Sequence, residues 1–115
     1  MSTDLVALTG DRPDIVAVVE GLAPRLKMAV GAQPDGCRLY DESGRLVMIA
    51  AEPLLVAVPG EVERLLGGQV SVAPPVWWTD IRAAADLPDA HQAARACAEE
   101  LVARHGGTVW SGAGR

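Results

Sequence analysis

Phenylalanine is missing from this 115-residue chain, and one tyrosine and three tryptophans are its only aromatic residues. Its core is therefore expected to be aliphatic, built from Leu, Val, Ile and much Ala. Such a core lets helices lie close to a sheet but buries less apolar area per residue, which points to ordinary stability. Cations are also scarce: 10 Lys and Arg face 15 Asp and Glu, for a net charge of −5 and a pI near 4.8. The basic residues are scattered, so the chain lacks the positive patch that phosphate backbones require, and nucleic acid is excluded as a partner. The longest apolar run, residues 53–59, is far too short for a membrane span. The opening residues Met1-Ser2-Thr3-Asp4 show no basic and apolar leader, so a cytoplasmic location is expected.

Chemistry-bearing residues are equally sparse. Cys37 and Cys97 match no zinc spacing and are expected to stay reduced as small core hydrophobes. His91 and His105 fall on one expected helix, about 21 Å apart along its axis, and cannot share a metal. His105 reads as a cation at a helix C-terminus and His91 as a surface residue. Asp35, Asp41 and Glu42 flank turn glycines and read as solvated turn residues rather than an acid–base pair. No phosphate loop, nucleophile elbow or metalloprotease motif occurs. No catalytic, cofactor-binding or metal-ligating residue is expected, and the chain reads as a non-enzyme.

What remains is the pattern of a single domain over residues 1–110, followed by a flexible tail at 111–115. Strands are expected at residues 4–9, 37–41, 45–51, 54–58, 76–84 and 108–110. Gly44 suits the left-handed position of the hairpin loop at 42–44. Helices are expected from Asp11 through Leu26, from Glu61 to Leu66, and from Asp86 to His105. The first places Asp11 as cap and Pro13 in the first turn. Residues 31–36 read as a loop, and 67–75 as the most mobile stretch.

The two long helices begin alike, Asp11-x-Pro13-Asp14 and Asp86-x-Pro88-Asp89. At the same offset Ile15, Val18, Val19, Leu22 and Leu26 fall on Ala90, Ala93, Ala94, Cys97 and Leu101, and Val6 falls on Ile81. This predicts an α+β two-layer sandwich: a mainly antiparallel sheet with two long helices on one face. The order would be ferredoxin-like, or a related pseudo-duplicated β-α-β-β…β-α-β.

Strand alternation then assigns faces. In residues 76–84, Trp77, Thr79, Ile81 and Ala83 fall under the helices, and Trp78, Asp80 and Arg82 on the opposite side. With Asp41 opposite Arg45, Cys37, Leu39, Val47 and Ile49 point inward. Tyr40, Leu46 and Met48 join Trp78 on the open face. Tyr40, Leu46, Met48, Trp78 and Arg82 are thus the candidate interaction surface, of residue types enriched at interfaces. A fold-back of the 61–66 helix over that face is the competing arrangement.

Four stretches together carry a resemblance: DLVALT before the first Pro-Asp helix start, AEPLLVAVPGEV at 51–62, PVWWTDIRA at 75–83 and GTVW at 107–110. They resemble the N-terminal portion of an uncharacterised actinobacterial family, a domain of unknown function associated with type VII secretion loci. Members of that family are longer, which implies an excised domain or a short member. The resemblance implies no activity and transfers no site residue. The expected function is a protein-interaction module, binding a protein partner or a second copy, in a secretion-locus accessory role. The alternative is a regulatory domain binding a small molecule between the sheet and the 67–75 loop.

Overall fold

The computed structural model describes residues 2–66 and 74–111. Most of the expected 67–75 loop and the tail beyond Ser111 lie outside them. Strand β1 (Ser2–Thr9) sets the architecture. Leu5 and Ala7 point to one side and Val6 and Leu8 to the other, and all four are buried. A strand apolar on both faces belongs inside a sheet with cover on both sides. β1 accordingly lies between β6 (Val76–Ala84) and β7 (Gly107–Ser111).

Helix α1 (Ile15–Leu26) follows β1. Its cap is Asp14, whose Oδ1 accepts from Ala17 N at 3.1 Å, so Pro13 precedes the cap instead of occupying the first turn. Lys27 ends the helix in the left-handed region at φ 57°. Next come β2 (Ala29–Gln33), β3 (Gly36–Tyr40), β4 (Leu46–Ala51) and β5 (Leu54–Val56). Helix α2 (Glu61–Leu66) precedes β6, and α3 (Ala90–His105) joins β6 to β7. The residues read as a loop at 31–36 thus include most of a strand: Ala29–Gln33 is stitched to β3 from Ala29–Tyr40 to Gln33–Gly36.

The result is α+β: an open antiparallel sheet of seven strands with three helices among the described residues. The order is β2-β3-β4-β6-β1-β7, with β5 pairing β6 beyond the end of β4. Glu52-Pro53 makes the break between β4 and β5, both of which lie along β6.

Two clusters of buried side chains form. The main core joins α1 and α3 to Leu5, Ala7, Cys37, Leu39, Met48, Ala50, Ile81 and Ala83. The second joins Val62 and Leu66 of α2 to Val6, Leu8 and Val76, with Val56, Trp78 and Trp110 against it. The helix positions matched at an offset of 75 residues are buried in both helices, Leu26 only partly. The strands do not follow that offset. Val6 lies on the α2 side while Ile81 lies in the main core, and it is Leu5 that sits opposite Ile81.

One face assignment fails at a bulge. Asp41 N donates to Arg45 O at 2.9 Å, and Tyr40 pairs Leu46, as regular alternation requires. The next pair is Leu39 with Met48, so Val47 is an extra residue in β4. Beyond the bulge every side chain changes face. Met48 turns into the main core, 1% exposed, and Ile49 turns outward in its place. Val47, at the bulge, is buried as well.

Candidate functional site

Neighbouring indoles at 77 and 78 project to opposite sides of β6. Trp77 has the Arg12 guanidinium over its ring, 5.6 Å from the centroid. Arg12 also pairs with Glu52 at 2.5 Å, so a cation and an aromatic face form one stack beside Pro53. Trp78 is half-buried under α2, against Val6, Leu8, Val62 and Leu66. Part of the face expected to be open is therefore covered. The six residues of α2 explain the cover: Val62 and Leu66 are one turn apart and point down, while Glu61 and Arg64 pair in solvent.

The remaining candidates lie along the uncovered half of the same side. Arg38, Ile49 and Arg82 form one cross-strand row through β3, β4 and β6. Tyr40 and Leu46 form the next. Tyr40 is half-buried because Gly31 leaves room for it: a β-carbon there would sit 3.0 Å from its ring. Leu46 is 38% exposed. Arg38 is held by Asp35 through two contacts of 3.3 Å, and this pairing keeps the Asp35 carboxyl below its usual range. A shallow cleft of about 230 Å³ runs between Leu46, Ile49 and Arg82. The structure thus brings Tyr40 and Leu46 together, sets Arg82 nearby, tucks Trp78 under α2 and removes Met48 from the surface.

The largest exposed apolar residues lie elsewhere. Leu54 (62% exposed), Leu55, Val58 (64%) and Leu65 occupy β5, the turn after it and α2. Leu54 is opposite Trp78 and Leu55 opposite Trp77. The hydrophobic run at 53–59 carries this signal in the sequence; the strand expected at 54–58 is present but shorter, and Val58 lies in the turn that follows it. The turn Pro34-Asp35 closes β2 and β3 before they reach β5, and β5 has no partner on its outer side among the described residues.

His105 does more than face the negative end of α3. Its Nδ1 lies 2.6 Å from Asp11 Oδ1, and its Nε2 accepts from Asp14 N at 3.4 Å. The ring clips the end of α3 to the start of α1. Cys37 and Cys97 are both fully buried in the main core. Burial pushes the Cys37 thiol up, and it pushes Cys97 to about 12, with Cys37 adding to the rise. Both shifts disfavour the thiolate, the form that attacks.

The small-molecule alternative placed its pocket against residues 67–75, mostly outside the described ones. Two other clefts are present. One of about 350 Å³ lies between Arg12, Asp14 and Glu52, and one of about 310 Å³ between Lys27, Asp41, Arg45 and Asp89. Both are at the small end for ligand sites. Among the described residues no group of three His, Cys, Asp or Glu is placed to hold a metal ion. No helix among them is long and apolar enough to cross a membrane. No family model, no curated protein and no solved structure matches this chain.

Proposed function

We propose that this domain is a non-enzymatic protein-interaction module that docks a protein partner on the surface formed by β5 and α2. One observation carries the reading: among the described residues, four of the five exposed large hydrophobics, Leu54, Leu55, Val58 and Leu65, fall within twelve residues of sequence. Apolar side chains scattered singly are ordinary, whereas a concentration of them on adjoining elements is characteristic of contact surfaces. Leu54 lies on the α2 side of β5 and Leu55 on the other, so the surface wraps the unpaired edge of β5. The strip with Tyr40, Leu46 and Arg82 extends that surface across the uncovered half of the sheet. An accessory role at a type VII secretion locus, in the manner of the actinobacterial family the sequence resembles, fits such a module. The ferredoxin-like reading, a duplicated strand–helix unit with both long helices on one face, belongs to the same proposal. Its support is the matched burial of α1 and α3, and β2 with β3 would then be an added hairpin.

The test is site-directed crosslinking. A photo-crosslinking residue at position 55 or 65 is expected to trap one reproducible protein in cells that make the domain. The same residue at position 20, on the exposed side of α1, is expected to trap none. Equal labelling from the three positions would end the reading.

A further inference from the structure

We propose that the outer edge of β7 pairs with the same edge of a second copy, about a two-fold axis through Val109. This goes beyond the β5–α2 reading and uses a different surface. β7 is the last strand at its end of the sheet, and nothing pairs with its outer side among the described residues. Natural edge strands are blunted by a charge, a proline, a bulge or shortness. β7 is Gly-Thr-Val-Trp-Ser, uncharged, free of proline, five residues long and in unbroken register with β1. Its Thr, Val and Trp suit a strand, and both faces are held down. Val109 packs on the main core and Trp110 on the second cluster. The other terminal strand, β2, is a weaker template. It has Gly31 at its centre, with the Tyr40 ring filling that space.

Hydrogen-bond alternation fixes which groups are free. Gly10 N donates to Gly106 O at 3.1 Å, so the inward-bonding positions that follow are Thr108 and Trp110. Gly107, Val109 and Ser111 therefore turn their N–H and C=O groups outward. That set is self-complementary. An antiparallel copy centred on Val109 sets Val109 against Val109 and Gly107 against Ser111, and every outward group finds a mate. Such a two-fold contact closes on itself and does not propagate.

Charge points to a second copy as the occupant. Two chains of net charge −5 repel unless they meet where charge is absent or of both signs. β7 is uncharged, and α3 beside it offers both signs. Arg104 reaches Gly21 of α1, so Arg95, nine residues or two and a half turns away, lies on the opposite flank. Arg95 and Glu99 pair there at 3.5 Å. A two-fold axis lays the α3 helices antiparallel, where each Arg95 is offered the Glu99 of the other copy. Five paired residues and one helix flank make a contact smaller than a standard interface, so association is weak.

The experiment is sedimentation equilibrium of the full chain from about 10 μM to about 1 mM, a range suited to weak interfaces. The mass is expected to climb from 12.0 kDa toward twice that value, and the Val109 amide to become protected from exchange as concentration rises. Proline at an outward position deletes a donor to the copy while sparing the bonds to β1. Ser111→Pro and Val109→Pro are therefore expected to stay at 12.0 kDa, with far-UV circular dichroism like the parent. Should Val109→Pro unfold, Ser111→Pro decides alone, because it leaves the core untouched. A parent chain fixed at 12.0 kDa throughout overturns the proposal, as does a dimer that survives Ser111→Pro. Growth beyond a dimer also overturns it, since that requires a head-to-tail contact.

Discussion

Asp41 shows how much one side chain can organise. Its Oδ1 accepts from the backbone of Ser43 and of Arg45, both at 2.9 Å, and its Oδ2 pairs with Arg45 Nε at 2.9 Å. The turn glycine Gly44, at φ 83°, returns its own N–H to Asp41 O. The backbone bond from Arg45 is the main reason the Asp41 carboxyl titrates below its ordinary 3.8. A carboxyl depressed in the folded state adds stability above its unfolded value, and loses it as pH falls through the folded value. The urea midpoint is therefore expected to fall from pH 5 toward pH 2.5 partly through Asp41. In Asp41→Asn the midpoint should be lower at neutral pH and the acid slope shallower. Asp35 and Glu61, depressed by Arg38 and Arg64, leave both proteins a residual slope. Parallel acid curves for the two proteins would show that Asp41 is not linked to folding.

At the scale of elements, the sequence was most informative where a pattern repeats and least where it is interrupted. β1, α1, α2, α3, β6 and β7 were legible from periodicity and glycine stops, although α1 is capped by Asp14 and not Asp11, and α3 begins at Ala90 and not at Asp86. The end of α3 at His105 before Gly106-Gly107 is an instance. β2 was not legible: Ala29-Val30-Gly31-Ala32-Gln33 has little strand propensity, and it forms because β3 offers it an edge. The bulge in β4 was hidden for a related reason. Leu46-Val47-Met48-Ile49-Ala50-Ala51 is apolar throughout, so no alternation exists in which a skipped residue could show. That one skip moved Met48 from the candidate surface into the core. The two placements have different energetic consequences. Met48→Ala is expected to cost about 2–5 kcal/mol, as for other fully buried large residues. Leu46→Ala should stay within about 0.5 kcal/mol. Denaturant melts of the two variants measure the difference, and similar small losses for both would restore regular alternation across the hairpin.

The whole molecule is one sheet with unequal cover on its two sides. The main core joins two long helices to buried residues of four strands, whereas the second cluster rests on two residues of a six-residue helix. β1 belongs to both, through Leu5 and Ala7 on one side and Val6 and Leu8 on the other. Loss of α2 would expose apolar surface without removing any strand pairing, and so would leave the main core intact. A helix this short is held by its tertiary contacts and not by its own propensity. Opening of α2 should therefore be a separate event of lower free energy than global unfolding. Val62→Ala removes one of its two anchors and should weaken that attachment by about 2 kcal/mol. The expected signature is faster amide exchange within α2 and red-shifted emission from Trp78 and Trp110, which pack against that cluster. Amides of β3 and of α3, bonded within the main layer, should keep their protection in the variant. Equal loosening of β3 and α2 would mean that the two clusters unfold as one unit. The β5–α2 surface would then be a fixed part of the fold, not a cover able to lift from the sheet.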